Sequence, residues 1–254
     1  MVDQIPVLMY HAFNHRPSAI SIPRELFAWQ MDWLKSAGIS VLRLEDVVEC
    51  IYKKKPFPEK SVVLTFDDGF SDFYLDVFPI LASHGFPATI YLVTGFIGRT
   101  NNWPGQPKNI PLLDLLTWSQ IDELNKGGIE FGAHSVTHPR LDLISYSIAE
   151  SEIIDSKKAI ENRIGRAIIT FAYPYGRFDE NIRSIVQQYF RNACTTRGGL
   201  VHRDHDPYEL KRVEVQHLRQ KIFFSGLNEP WFGAYVSVRN SIGNLRLRLF
   251  RKEY

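Results

Sequence analysis

The chain has 254 residues, 44% of them hydrophobic and 23% charged, with 30 basic against 28 acidic side chains. These proportions exclude a disordered, collagen-like or coiled-coil chain, and the near-balance of charge argues against a nucleic-acid partner. At roughly 150 residues per domain, the length leaves one large domain or two small ones open. The two cysteines, Cys50 and Cys194, cannot build a disulfide framework. No run of about 18 apolar residues occurs, so no transmembrane segment is expected. The N-terminus lacks the basic and apolar regions of a signal peptide. A full-length chain of this kind is expected in the cytoplasm; one whose leader has been removed would be periplasmic or secreted.

Short apolar runs alternate with helical patterns. Ile5–Tyr10 reads as a buried strand. Ser21 and Pro23 open a helix with Leu26, Trp29, Trp33 and Ala37 on one face, stopped by Gly38. Val41-Leu42 is a short strand and Leu44 to Lys53 a helix. Val62–Phe66 is a β-branched strand running into Asp67-Asp68-Gly69, and a helix from Asp72 to His84 ends at Gly85. Ala88–Val93 is a strand. Gly95 to Pro111, rich in Gly, Pro and Asn, is long enough to be a functional loop. Thr117 and Gln120 fit a capping box for a helix ending at Gly127-Gly128. Then come a strand at Ile129–Ala133, a helix at Ser147–Ile164, a strand at Ile168–Ala172, a helix at Asp179–Gln188 and a strand at Asn192–Thr195. Val213–His217 is read as the last strand, and Leu245–Phe250 alternates like a half-buried one.

Repeated strand–helix alternation implies a mainly parallel sheet covered by helices, either a closed α/β barrel or an open doubly wound sheet. The open form would want a Gly-rich turn after the first strand, and Tyr10-His11-Ala12-Phe13 is not one. In barrels, chemistry sits at the C-terminal ends of the strands. Polar residues cluster there. Adjacent carboxylates Asp67 and Asp68 after an apolar strand are costly if buried, although Asp-Gly alone also makes turns. A metal would hold one carboxylate as ligand and leave the other as a base. His134 and His138, at i and i+4 after a strand, can converge on one ion. With Asp68 they form a two-His, one-carboxylate set with an open position, suited to zinc first and also to cobalt, manganese, nickel or iron. Tyr173-Pro174-Tyr175-Gly176 and Tyr10-His11 mark two further strand ends. His15, His84, His202 and His205 are read as solvated.

The Thr65-Phe66-Asp67-Asp68-Gly69 and His134-Ser135-Val136-Thr137-His138 motifs, supported by Tyr173–Gly176, resemble those of the polysaccharide deacetylases with NodB homology (carbohydrate esterase family 4). The resemblance covers roughly residues 5–227. It implies a distorted (β/α)7-type barrel and metal-dependent removal of N-acetyl or O-acetyl groups from a polysaccharide, an oligosaccharide, or a lipid- or nucleotide-linked sugar. It makes Asp67 the catalytic base, Asp68, His134 and His138 the metal ligands, and the Tyr175 backbone N–H the oxyanion donor. Two departures stand out. Where many members carry an Arg to orient the base, this chain has Ala172. The usual late Leu-x-x-His motif is matched only loosely by Val213–His217. Ile5-Pro-Val-Leu-Met-Tyr-His11 fits the poly-N-acetylglucosamine deacetylase subgroup, in which the barrel is circularly permuted and the N-terminal His is the acid. His11 is therefore preferred as the acid, with His217 as the alternative.

Trp103, Phe70 and Pro174 are expected to line the substrate groove, since sugar rings stack on such faces. Residues 1–227 are expected to form one barrel and 228–254 a separate basic extension, able to touch an anionic membrane surface. A non-catalytic carbohydrate-binding barrel, or a metal-dependent hydrolase of small amides or imides, is the rival reading.

Overall fold

The computed structural model describes residues 1–13 and 18–250, with side chains described as far as residue 241. Seven parallel strands close into a barrel: β1 (Val7–Tyr10), β2 (Ser61–Phe66), β3 (Thr89–Leu92), β4 (Glu130–Ala133), β5 (Thr170–Ala172), β6 (Asn192–Gly198) and β7 (Leu210–Glu214). Each pairs with the next, and β7 returns to β1 through Val213↔Leu8 and Glu214↔Met9. The N-terminal strand thus sits between the last strand and β2 and closes the ring. An eighth strand, Ser40–Leu42, lies outside the ring on the first half of β2. The closed ring decides against the open sheet.

Strands buried on both faces read as unbroken apolar runs, because the alternate residues serve two different cores. Leu8, Tyr10, Val62, Leu64, Phe66 and Ile90 face outward into the layer beneath the helices. Val7, Val63, Tyr91, Ala172, Cys194 and Leu210 fill the barrel. Helices α1 (Arg24–Ser36), α2 (Leu44–Tyr52), α3 (Phe78–His84), α4 (Trp118–Lys126), α5 (Tyr146–Ile164) and α6 (Glu180–Tyr189) cover it. The Thr117–Gln120 capping box that opens α4 forms in both directions. Inside the barrel, Tyr91 is the bulkiest apolar side chain, and its hydroxyl pairs with Thr170 Oγ1 at 2.8 Å. It needs glycine opposite: a Cβ on Gly132 would lie 2.5 Å from the Tyr91 ring.

Several sequence expectations change. The helix expected from Asp72 begins as a π turn at Phe73–Val77 and becomes α-helical only at Phe78. Pro79 lacks the N–H that would continue a regular helix, and the wider turn accommodates the loss. The last barrel strand is Leu210–Glu214, and Val215–Leu218 forms a 3₁₀ turn instead. His84, His202 and His205 are half-buried rather than solvated, and His15 lies outside the described residues. The expected strand at Leu245–Phe250 is the end of a helix, α8 (Phe232–Phe250), which follows the short α7 (Lys221–Ser225). Leu245 and Leu249 are four apart, so the pattern was as compatible with a helix. The first half of α8 docks on the barrel. Phe232 and Val236 are buried, Tyr235 Oη donates to the His217 carbonyl at 2.7 Å, and Asn240 Nδ2 donates to the Gly198 carbonyl at 3.2 Å. Of the basic residues expected to meet a membrane, Arg239 is described and exposed, while Arg246, Arg248, Arg251 and Lys252 fall beyond the described side chains. Among the described residues, no helix is long and apolar enough to cross a membrane.

Asp72 ties the segment after β1 to the π turn: its Oδ2 accepts the Phe13 N–H at 2.6 Å, while Oδ1 is buried without a partner among the described residues. Burial pushes the carboxyl up to about 7. The folded state therefore holds this proton more tightly than the unfolded chain, whose carboxyl titrates near 4. The stabilisation is complete below about pH 4 and is lost as pH rises through about 7. Asp72→Asn keeps the acceptor and removes the ionisation. Its melting temperature should fall less than the wild-type value between pH 5 and 8 in thermal scans; equal slopes would contradict this.

Candidate active site

The C-terminal ends of the strands meet at one cavity of about 390 Å³, whose walls include His11, Asp67, Asp68, His134, His138 and Tyr175. Three of these strand-end segments turn sharply, at four residues. Asp68 (φ 71°), Ser135 (φ 65°), His138 (φ 56°) and Tyr175 (φ 57°) adopt the left-handed conformation, which costs an L-residue about 1–2 kcal/mol. Elsewhere among the described residues only Lys54 and Lys60 do so without being glycine. Strain is thus concentrated where side chains must be aimed.

Asp68 Oδ1 lies 3.5 Å from Nε2 of both His134 and His138, and the two Nε2 atoms are 3.2 Å apart. All three residues are buried. His134 Nδ1 is 2.7 Å from the Ala172 carbonyl, which only accepts, so Nδ1 carries a proton and Nε2 is the ring nitrogen left to face inward as a ligand. Two imidazoles and a carboxylate oxygen converging in a buried site fit a cation, and these residues can hold a divalent metal. Burial, then the neighbouring His134, pushes His138 well below its usual range, and burial raises Asp68.

The loop carrying both histidines is pinned from α5. Glu152 Oε2 accepts the N–H groups of Val136 and Thr137 at 2.8 and 2.7 Å, and Oε1 accepts the Thr137 hydroxyl at 2.7 Å. On the other side Gly95 N–H donates to the Val136 carbonyl at 2.8 Å, an approach that a Cβ on Gly95 would block at 2.7 Å.

Asp67 has a partner that the sequence did not reveal. Arg212, fully buried on β7, forks onto both carboxylate oxygens at 2.6 and 2.7 Å. Its remaining donors reach Thr65 Oγ1 at 3.2 Å and the Thr195 carbonyl at 3.0 Å, and it lies 5.6 Å over the Tyr91 ring. Burial alone would raise the Asp67 carboxyl, but the guanidinium overrides it and holds the group well below the usual carboxylate range. Arg212 thus supplies, from a different strand, the cation missing at Ala172. The only signal in sequence was an Arg inside the run Leu210-Lys-Arg-Val-Glu214, which reads as an outward-facing residue.

His11 Nε2 lies 4.0 Å from Asp67 Oδ2, and His217 lines the same cavity. Glu214, also unforeseen, is in the wall, its carboxyl raised by burial against the opposing pull of His11. Trp103 lies in the wall as expected, its ring 4.6 Å from that of His138, and Tyr175 packs on His138 at 4.5 Å. The long loop that carries Trp103 is anchored by Asn101, whose Oδ1 accepts the Leu113 N–H at 2.7 Å. Phe70 and Pro174 are corrections. Both are buried and neither lines the cavity; Phe70 packs in the small cluster with Trp103, Val93 and Leu115. Neighbours along a tight turn point in opposite directions, so nearness to a motif did not place them at the groove.

A model of the polysaccharide deacetylase family matches residues 54–191. A Bacillus subtilis protein named as a polysaccharide deacetylase, YxkH, is 30% identical over 234 residues, spanning 92% of this chain and 76% of the relative. The poly-β-1,6-N-acetyl-D-glucosamine N-deacetylase of Staphylococcus epidermidis is 30% identical over 210 residues, covering 78% and 68% of the two chains. Among solved structures, the Streptococcus pyogenes deacetylase PplD in complex with acetate superimposes with a TM-score of 0.73 at 28% identity, over 84% of this chain and 93% of that one. IcaB from Ammonifex degensii has a TM-score of 0.75 over 92% and 97% at 23% identity, a likeness of fold. The chain belongs to the polysaccharide deacetylase family, whose members are hydrolases of acetylated carbohydrates.

Two variants test the site. Arg212→Met should lose about 3–5 kcal/mol in urea unfolding, because it strands a buried carboxylate, and adding Asp67→Asn should recover part of it. Unchanged stability would mean that the pair is not buried as described. Glu152→Ala should weaken zinc binding by roughly 10- to 100-fold in a competition titration with a coloured chelator, through loss of loop support alone.

Proposed function

We propose that the protein is a divalent-metal-dependent N-deacetylase acting on a glycan that contains N-acetylglucosamine, with zinc the favoured ion. The observation that carries this reading is the convergence of Asp68, His134 and His138 beside an Arg-held Asp67 in one cavity. The two relatives and the PplD structure support it. Held by those three residues, the ion would act as a Lewis acid toward the acetyl carbonyl and lower the pKa of water.

The chain's own residues divide the remaining work. Asp67, kept ionised by Arg212, takes the proton of the attacking water. The Tyr175 N–H donates to the oxygen on which negative charge develops. His11 delivers a proton to the amide nitrogen as the C–N bond breaks, since an unprotonated amine is a poor leaving group. His217 is the alternative donor. Trp103 offers its edge of the cavity to a sugar ring. We further propose that residues 1–227 form the catalytic barrel and 228–254 an extension anchored by the first turns of α8.

The test is acetate release from N-acetylglucosamine oligosaccharides with added zinc and with chelator. Release should require metal. Asp67→Asn should retain bound metal and lose about 10²–10⁴-fold in kcat, and His11→Ala about 10²-fold, whereas His134→Ala should lose the metal itself. Full activity in Asp67→Asn would overturn the base assignment, and no release from any metal-loaded reaction would overturn the deacetylase reading for these substrates.

A further inference from the structure

The catalytic cavity adjoins a second one of about 600 Å³, and the two share Tyr175, Thr196 and His217 in their walls. The second cavity is cationic. Arg177 after β5, Arg197 on β6, Lys211 on β7 and Arg239 on α8 all line it. Arg197 is already committed, paired with Glu209 and stacked 5.0 Å over the Phe178 ring. The one acid in the wall, Asp142, is held by Arg140 through two hydrogen bonds of 3.2 and 2.8 Å. Arg177, Lys211 and Arg239 make no ion pair among the described residues.

A concave wall of one charge sign focuses its field and concentrates counter-ions. The part of the catalytic cavity wall that the second cavity does not share includes the uncharged side chains Ile20, Pro107 and Ile110. The site therefore has an apolar wall beside the metal ligands and a cationic annex beyond Tyr175. A neutral glycan would gain no charge attraction from the annex. A glycan already deacetylated at the neighbouring sugar would bring an ammonium group there and be repelled. An anion would be held, and guanidinium forks match phosphate and carboxylate oxygens especially well.

We propose that the substrate is an acetylated glycan whose segment next to the reacting sugar is anionic, bearing phosphate or carboxylate. This deepens the deacetylase reading and rests on it. It also implies that the enzyme removes isolated acetyl groups rather than working along a chain of its own cationic products.

Three probes separate the cases: a neutral N-acetylglucosamine trimer, the same trimer with a terminal phosphate monoester, and the same trimer with a terminal glucuronate. Binding is measured by calorimetry on the full wild-type chain with chelator present, at low and high salt. At least one charged trimer should bind about tenfold or more tightly than the neutral one, by an advantage that shrinks with salt. Whichever charged trimer leads names the anion. In Lys211→Ala/Arg239→Ala the preference should fall by about threefold per cation, the yield of a partly exposed charge pair. Equal binding of all three trimers, no binding of any, or a preference untouched in the double variant would overturn the proposal. Failure of the deacetylase reading itself would look different: charge preference in binding, with no acetate released from any trimer by the zinc-loaded chain.

Discussion

A guanidinium buried inside a barrel is intolerable without a countercharge, and the Arg212–Asp67 pair answers that constraint. The requirement is mutual. Asp67 emerges from an apolar strand into a dry interior, where only an opposite charge keeps it ionised. The fork fixes its orientation as well as its charge, because both oxygens are engaged. Below the pair, Tyr91 offers its ring to the guanidinium and its hydroxyl to Thr170 and Cys194, and Gly132 leaves room for that ring. The barrel core thus grades from apolar at the strands' N-terminal ends to ionic at their C-terminal ends, and the metal ligands stand on the ionic end.

The ligand geometry depends on a second kind of constraint, backbone strain held in place by hydrogen bonds. Left-handed residues at Asp68, Ser135, His138 and Tyr175 would relax if their loops were free. They are not free. Glu152 clamps Val136 and Thr137, Ser135 Oγ accepts the His138 N–H at 3.0 Å, and the Ala172 carbonyl fixes the His134 ring. A site aimed before its ion arrives loses little conformational freedom on binding it, which is how a three-residue set can bind tightly.

Much of this was legible in the sequence, and the reasons are physical. Asp67, Asp68, His134 and His138 could be read because metal chemistry demands those residue types at strand ends, and few other needs place them there together. The alternation of strands and helices could be read because their periodicities differ, whereas the closed barrel followed from the family resemblance of the motifs. Arg212 could not, since its partner is 145 positions away and a charged residue in an alternating strand is ordinarily solvent-facing. Glu152 looks like any acid on a helix surface until the loop it clamps is in view. Trp103 was legible as a large ring in a polar loop, whereas Phe70 and Pro174 depended on which way a turn directs them. The six residues from Leu245 were too few to separate a period of two from one of 3.6.

All of the proposed chemistry depends on Asp68, His134 and His138 holding one divalent ion beside the Arg-held base. X-ray absorption at the zinc edge, on the full chain loaded with one equivalent, reports the ligand set directly. The expected shell is two imidazole nitrogens and carboxylate or water oxygens at about 2.0–2.2 Å, with no sulfur. A shell containing sulfur, or one with no imidazole scattering, would contradict it.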